Sequence, residues 1–404
     1  MTVFALYACA SNVPHTADDK PPVPAVPVGE QSTAPETDVN TVPPTTPIGE
    51  GATAPLVHAD IMSEPLPPSD GDGAPHIALL LPLKSPIFGP VAEAVRQGFL
   101  AAASVQTGGL PLRIYDSLDE NQDIISLYRQ AIANGARAVV GPLTRNGVNT
   151  LATQHNIPVP TLCLNVADNP DGQQLYFFGM EVEAEARQVA RLARQQGLHQ
   201  AIIITTPAQL SKRLQFAFEE TWHHSGGTLL REIEFNGDFN ELSSIVEEPG
   251  TVVFLAADAE KARLIRPYLP NKLPIYATSQ TFIGNDKTLT NYDLNNIRFV
   301  DMPWLLQPDH AAVMTYPHAF PPLSADLERF YAMGIDSFRL IQLMLFQRVN
   351  SALPLDGVTG QIILSGHTFK RLGIPAVLNQ GQAQLSNTSA APVPTFPDKM
   401  MNTP

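Results

Sequence analysis

The sequence has few of the features that mark a membrane-spanning or nucleic-acid-binding protein. It contains two cysteines in 404 residues, and only 16% of its residues are charged. No run reaches the length of about 18 apolar residues that a bilayer-crossing helix requires. No basic stripe interleaved with aromatic residues, the pattern typical of nucleic-acid binding, is present either. These absences argue against a membrane span and a nucleic-acid partner.

Catalytic and metal-binding motifs are also absent. The sequence has no Gly-x-Ser-x-Gly, His-Glu-x-x-His, Cys-x-x-Cys or Gly-x-x-x-x-Gly-Lys-Ser/Thr pattern, and no Ser-x-x-Lys. His223 and His224 are adjacent, but they have no partners at a spacing known for zinc. We therefore predict a protein that is not an enzyme and that holds no cofactor and no metal.

Proline is abundant and unevenly distributed. Many of the 38 prolines lie between residues 14 and 75, among Thr, Ser, Gly and Asp. Such a segment cannot bury enough apolar surface to offset the entropy lost on ordering. We predict a disordered, extended linker over 9–75, with a contour length of about 200 Å at 3.1 Å per residue. We predict a second disordered segment, a polar tail, over 386–404.

Acidic residues are concentrated in the same linker. The whole chain has a net charge of −14, and residues 1–75 contain ten acidic residues and one lysine. Those residues therefore carry −9, which leaves −5 for the remainder. The predicted folded part is only mildly acidic.

The N-terminus resembles a bacterial lipobox, in which a signal segment ends in small residues before a cysteine that becomes lipidated. Residues 6–11 read LYACAS, with Cys9 as the predicted lipidation site. Only eight residues precede Cys9 and none is basic, so 1–8 is a partial signal segment and we expect the signal to begin upstream of Met1. Ala10 and Ser11 resemble the outer-membrane sorting pattern of lipoproteins.

From residue 76 onward, short apolar runs alternate with helical patterns. This alternation predicts an α/β fold with parallel sheets flanked by helices. The predicted strands are 77–83, 112–115, 136–140, 159–164, 175–178, 201–205, 228–235 and 251–255. The predicted helices are 91–103, 122–134, 146–154, 181–196, 208–224 and 260–268.

Two such sets indicate two lobes within a domain over 76–385. We assign about 76–178 and 300–349 to lobe 1, and about 179–299 and 350–385 to lobe 2. Ligands of open α/β sheets bind at the carboxyl ends of strands, so loops at those ends would line a cleft between the lobes. The candidate cleft-lining residues are Ser85, Arg145, Asn146, Asn165, Ser279 and Gln280.

Three positions have two interpretations each. The segment 141–146 could hold an anion on free N–H groups with Arg145, although a tight turn with Asn146 as N-cap is favoured. Asp336 is interpreted as the N-cap of a helix that runs to Val349, after a helix ending at Gly334; a direct functional contact is the alternative. Cys163 is interpreted as a buried strand residue rather than a catalytic thiol.

Six segments resemble the LpoA family of penicillin-binding protein activators, which are lipoproteins, and more broadly the type I periplasmic binding proteins. The resemblance covers most of residues 76–385. It rests on IALLLPLKSPIFGPVAEAVRQGFLAAA (77–103), LRIYDS (112–117), YRQAIANGARAVVGPLTRNGV (128–148), ATSQTFIG (277–284), FYAMGIDSFRLIQ (330–342) and GVTGQIILSGHTFKRL (357–372).

This resemblance implies a two-lobed periplasmic-binding-protein fold on an outer-membrane lipoprotein. It also implies the partner, a bifunctional penicillin-binding protein that polymerises and crosslinks peptidoglycan and that the lipoprotein binds and stimulates. Larger members of the family place a helical-repeat domain before this one, where the present sequence has its proline-rich linker. The alternative is a lipid-anchored solute-binding protein that delivers an amino acid or a similar polar ligand to an ABC transporter.

Overall fold

In the computed structural model, residues 73–106, 108–168, 174–346 and 348–386 are described. The predicted lipidation site Cys9, the proline-rich linker up to residue 72 and the tail from residue 387 lie outside these ranges. All the described residues fall within one unit of the chain, Ser63–Pro404.

Fifteen strands are present in the described ranges. They are His76–Leu81 (β1), Leu112–Asp116 (β2), Ala136–Val140 (β3), Thr161–Cys163 (β4), Leu175–Phe178 (β5), Gln200–Thr205 (β6), Thr228–Glu234 (β7), Thr251–Leu255 (β8), Ile275–Tyr276 (β9), Ile297–Asp301 (β10), Leu355–Gly357 (β11), Gly360–Ser365 (β12), Thr368–Leu372 (β13), Ile374–Asn379 (β14) and Gln382–Leu385 (β15).

Twelve α-helices accompany them in the same ranges. They are Gly89–Val105 (α1), Glu120–Ala133 (α2), Arg145–Ala152 (α3), Val182–Gln195 (α4), Gln209–His224 (α5), Phe239–Ser243 (α6), Ala259–Ile265 (α7), Thr288–Asn291 (α8), Pro303–Leu306 (α9), Ala311–Thr315 (α10), Ala325–Leu345 (α11) and Val349–Ala352 (α12). Short 3₁₀ turns occur at Arg266–Tyr268, Ser279–Thr281, Asn285–Lys287 and Tyr292–Leu294.

The strands form two sheets, as the alternation predicted. The first sheet has the order β11-β12-β13-β5-β4-β3-β1-β2, and the second has the order β15-β14-β10-β9-β8-β6-β7. The first sheet is parallel from β2 to β13, and β12 and β11 continue it by antiparallel pairing. The second sheet is parallel from β7 to β10, and β14 and β15 continue it in the same antiparallel way. The chain passes between the sheets three times, after β5, after β10 and after β13.

Both faces of each sheet are covered, which explains the continuous apolar runs. Successive side chains of a strand point to opposite faces. In β1, Ile77 and Leu79 therefore join the core that contains α1 and α11, whereas Ala78 and Leu80 join the core on the opposite face. Strand β6 is divided between two cores in the same way. No described helix is both long and apolar enough to cross a membrane.

The assignment of 350–385 to lobe 2 is wrong for part of that range. Strands β11, β12 and β13 belong to the first sheet, because β13 pairs in parallel with β5. Only β14 and β15 join the second sheet, beside β10. Hydrophobic periodicity identifies a strand but not its neighbour, so no local pattern separates β11–β13 from the hairpin of β14 and β15.

The predicted helix boundary around Gly334 and Asp336 is also wrong. Helix α11 runs without interruption through both residues. Gly334 is required by the packing of α11 on α1, because a methyl group at this position would overlap the carbonyl oxygen of Val95. Ser324, rather than Asp336, caps α11 by accepting a hydrogen bond from the N–H of Leu327.

Candidate functional site

The largest cavity described lies where the sequence placed the cleft, at the carboxyl ends of the first sheet's parallel strands. Its volume is about 890 Å³. Loops that follow β1, β2, β3, β4 and β5 contribute to its walls, and residues of α4 and α5 complete them. Because α4 and α5 cover the second sheet, this cavity is a cleft between the two lobes.

Four of the six predicted cleft residues line the cavity, and two do not. Ser85, Arg145, Asn146 and Asn165 belong to its walls, whereas Ser279 and Gln280 do not. Ser279 is 1% exposed; its N–H donates to Glu185 Oε2 at 2.9 Å and its carbonyl accepts from Arg329 Nη2 at 3.0 Å. The turn after β9 is thus anchored in the interior, which accounts for the difference from the prediction.

Glu120, a residue for which no role was predicted, accepts hydrogen bonds from backbone N–H groups of the loop between β3 and α3. Its carboxylate accepts hydrogen bonds from the backbone N–H of Leu143, at 3.0 and 3.2 Å, and of Thr144, at 2.6 Å. Burial raises the pKa of Glu120 above its ordinary value, although these hydrogen bonds act in the opposite direction. The backbone donors that could have held an anion are therefore used by the protein's own carboxylate.

The rest of the same loop is also internally paired. Thr144 is the N-cap of α3, since its Oγ1 accepts from the N–H of Gly147 at 3.1 Å, so the assignment of this role to Asn146 is wrong. Asn146 is exposed on the cavity wall. Arg145 Nη2 lies 2.6 Å from Asp168 Oδ1, and this hydrogen bond raises the pKa of Arg145. The turn interpretation of 141–146 thus agrees with the structure.

The two other predicted residues in the cavity wall stabilise their own loops. Asn165 Nδ2 donates to the carbonyl of Leu143 at 3.0 Å, and its Oδ1 accepts from the N–H of Val166. Ser85 Oγ accepts from the N–H of Phe88 at 3.2 Å. Both side chains therefore have structural partners in this state of the cleft.

An exposed apolar rim borders the first-lobe side of the cavity. Ile87 is 78% exposed, Leu118 is 59% exposed and Phe88 is 44% exposed. The three residues follow β1 and β2, which are adjacent parallel strands, so their loops lie at the same edge of the sheet. We call Ile87, Phe88 and Leu118 the apolar rim. Large apolar side chains grouped at a cleft mouth are typical of contact surfaces.

The second-lobe wall is charged. Arg213 Nε lies 2.6 Å from Glu183 Oε1, and Arg187 Nε lies 3.8 Å from Glu220 Oε2. Glu183 therefore offsets the positive charge of Arg213 on this wall.

Two buried ion pairs, which no sequence motif predicts, lie near the crossings between the sheets. Arg329 of α11 contacts Asp301 at the end of β10, with Nη2 2.7 Å from Oδ2. Arg371 of β13 contacts Glu185 of α4, with Nη2 2.8 Å from Oε1. The partners come from distant parts of the chain, and no local pattern pairs them.

Asp336 is buried and accepts four hydrogen bonds. The donors are Arg339 Nη1, the N–H groups of Val358 and Thr359, and Thr359 Oγ1, at 2.7 to 3.2 Å. Asp336 therefore anchors the turn between β11 and β12 to α11. It does not line the cleft between the lobes.

Neither the cysteine nor the paired histidines form a reactive site. Cys163 is fully buried in β4, as predicted, and burial raises the pKa of its thiol. His223 and His224 lie at the end of α5, where they are exposed to solvent. No group of three His, Cys, Asp or Glu side chains suited to a metal ion occurs in the described part of the chain.

The sequence of this domain matches a known family. Residues 73–369 match the family described as "LppC putative lipoprotein". The chain belongs to this family. The predicted family resemblance and the predicted fold class are thereby confirmed.

Curated relatives carry the name penicillin-binding protein activator LpoA. The protein of that name from Photobacterium profundum is 24% identical over 329 residues, which cover 71% of this chain and 53% of the relative. The one from Haemophilus influenzae is 28% identical over 305 residues, covering 72% and 51%. The chain thus spans about half the length of the curated relatives that it matches.

Solved structures with similar folds come from two groups. A Chromobacterium violaceum protein described as a "putative branched-chain amino acid ABC transporter" is 34% identical, with a TM-score of 0.66, over 76% of this chain and all of that one. The C-domain of LpoA from Haemophilus influenzae is 24% identical, with a TM-score of 0.63, over 77% of this chain and 99% of that one. Both support the two-lobed binding-protein fold.

Proposed function

We propose that this protein is an outer-membrane lipoprotein that binds and stimulates a bifunctional penicillin-binding protein, and so regulates peptidoglycan synthesis without catalysing a reaction itself. The observation that carries this proposal is the family match over 73–369, together with relatives that are named penicillin-binding protein activator. Cys9 would bear the lipid, and the periplasmic face of the outer membrane would be its location.

The geometry of the cleft supports a role in protein contact. The backbone donors of the loop after β3 already hydrogen-bond to Glu120, and Ser85 and Asn165 already have partners within their own loops. By contrast, the apolar rim is exposed. Apolar surface that becomes buried when two proteins associate stabilises the complex. We therefore place the contact with the synthase at the apolar rim.

The test uses the full-length chain and a purified bifunctional penicillin-binding protein. We expect the two proteins to co-purify, and we expect the lipoprotein to raise the rate of glycan polymerisation or of peptide crosslinking. The variant Ile87→Asp combined with Leu118→Asp should weaken binding by about tenfold or more, which corresponds to about 1.4 kcal/mol.

Leu289→Asp provides the matched control, because Leu289 is 91% exposed and lies in α8, away from the cavity. This variant should bind and stimulate like the wild type. Absence of binding and of any rate change with the wild-type protein would refute the proposed function. Equal effects of the rim and control variants would refute the rim as the contact surface only.

A second candidate function is supported by the similarity to the Chromobacterium violaceum protein, which covers that whole chain at 34% identity. In this case the cleft would bind an amino acid or a similar polar solute for an ABC transporter. Titration calorimetry against a panel of amino acids distinguishes the two candidates. A saturable heat of binding would favour solute binding, and its absence together with synthase stimulation would favour the activator.

A further inference from the structure

A second, smaller cavity lies on a chain crossing between the sheets. Its volume is about 210 Å³, and we call it the crossover pocket. One wall is formed by residues of β12 and β13 from the first sheet, and the other by Gly179, Glu181 and residues of α4. This volume is sufficient for one small polar group with a few attached atoms.

The lining of the crossover pocket is strongly cationic. Arg187, Arg191, Lys370 and Arg371 line it, and among the described residues of its walls Glu181 is the only acidic one. The sequence beyond residue 75 carries a net charge of −5, so this concentration of positive charge contrasts with the rest of the folded part. Like charges placed together cost free energy unless an anion offsets them.

Arg371 lines this pocket with a side chain that is 5% exposed, and its Nη2 contacts Glu185 at 2.8 Å. Its Nε has no hydrogen-bond partner in the described part of the chain, but this nitrogen has almost no accessible surface. A ligand in the crossover pocket would therefore contact Nη1 and Nη2, which form the outer edge of the guanidinium group.

Arg191 supplies an unpaired positive charge at the same place. No carboxylate of the described residues lies within ion-pair distance of its guanidinium, whereas Arg187 does have Glu220 as a partner. The side chain of Arg191 is exposed, yet enough protein surrounds the guanidinium that desolvation lowers its pKa, and the charge of Arg187 lowers it further. An anion between the two arginines would offset the repulsion between their positive charges.

We propose that the crossover pocket binds a small oxyanion, either phosphate or carboxylate, held by Arg191 and Arg371 with Arg187 and Lys370 close by. Arginine is suited to this role because its planar fork donates two parallel hydrogen bonds to such groups. The bound anion would contact β13, which belongs to the first sheet, and α4, which covers the second. Its binding would therefore stabilise the observed arrangement of the two lobes.

The test is titration calorimetry of the full-length protein with inorganic phosphate and, in a second arm, with acetate, at a constant ionic strength set with sodium chloride. We expect saturable binding of at least one of the two anions. Arg191→Glu should weaken that binding by about tenfold or more, because it reverses a charge in direct contact with the ligand. Circular dichroism should show that this variant is folded, since Arg191 is exposed and no ion pair or side-chain hydrogen bond of Arg191 occurs among the described residues.

Lys272→Glu is the matched control, because Lys272 is exposed and lines neither the larger cleft nor the crossover pocket. It should leave anion affinity within about twofold of the wild type, since the same reversal of charge is made outside the pocket. Absence of saturable binding by the wild type at up to about 10 mM of either anion overturns the proposal. An unchanged affinity in Arg191→Glu, or an equal loss in Lys272→Glu, also overturns it.

A third arm identifies the source of the anion. Vesicles of phosphatidylglycerol are compared with vesicles of phosphatidylcholine by co-sedimentation, using the Cys9→Ala variant so that no lipid anchor contributes. Binding to the anionic vesicles that is lost in Arg191→Glu would assign the site to a lipid headgroup. Binding of free anion without vesicle binding would assign it to a solute. Both results support the crossover pocket as an oxyanion site.

Discussion

The Asp336→Ala variant tests whether Asp336 caps a helix or anchors a buried turn. In the structure Asp336 is fully buried, and its carboxylate accepts hydrogen bonds from two backbone N–H groups, a hydroxyl and an arginine. Val358 and Thr359, which supply the backbone donors, are themselves fully buried. Water therefore cannot readily replace the missing carboxylate.

The magnitude of the effect follows from these contacts. An unsatisfied buried donor costs about 1 to 3 kcal/mol, so the two N–H groups that lose their acceptor account for about 2 to 6 kcal/mol. We therefore expect a loss of about 4 kcal/mol, which agrees with the about 3 to 5 kcal/mol typical of removing one partner of a buried ion pair. A helix cap would contribute only about 0.5 to 2 kcal/mol.

The measurement is unfolding of the full-length chain in guanidinium chloride, followed by circular dichroism. Asp309→Ala is the matched control, since Asp309 is exposed and none of the hydrogen bonds or ion pairs among the described residues involves its side chain. Its loss should cost less than about 1 kcal/mol. A cost below about 2 kcal/mol for Asp336→Ala, or equal costs for both variants, would refute the anchoring role.

Three further predictions follow from single residues. Gly334→Ala should lower the melting temperature, because overpacking against α1 costs about 1 to 3 kcal/mol. Helix propensity alone predicts a higher melting temperature, and that result would contradict the close packing of α11 on α1. Burial raises the pKa of Glu120 above 4.5, so stability should fall as pH rises from about 4.5 through the raised value. Glu120→Gln should remove that part of the pH profile, and identical profiles for the two proteins would contradict it. In a Cys9→Ala background, Cys163 should react with a thiol reagent only in denaturant, and fast labelling of the native protein would show that the thiol is not buried.

Local pattern was sufficient for most elements of the fold. Strands β3, β5 and β8 have the boundaries that their apolar runs predicted, because a strand with both faces buried needs a continuous apolar segment. The rule that ligands bind at the carboxyl ends of strands also placed four of six candidate residues on the cleft wall. It did not show that Ser85 and Asn165 already have hydrogen-bond partners, since those partners depend on the conformation of each loop.

Gly334 and Asp336 in α11 show why local patterns are not sufficient to predict a helix boundary. Gly334 followed by Asp336 is the usual sign of a helix end and a new cap. Glycine also occurs where two helices pack closely, and aspartate also occurs where a buried carboxylate binds a distant turn. Only the position of α1 against α11, and of the β11–β12 turn against Asp336, distinguishes these cases.

The sequence by itself determined the α/β class, the family, the acidic proline-rich N-terminal segment and the buried state of Cys163, because each depends on composition or on short-range periodicity. Only the tertiary structure shows which strands share a sheet. It also shows that Glu120 accepts hydrogen bonds from the backbone N–H groups of the cleft, and that Arg371 pairs with Glu185, 186 positions away in the chain. These contacts join segments that are distant in sequence. Their partners are set by how the two sheets pack and cross, which no local pattern encodes.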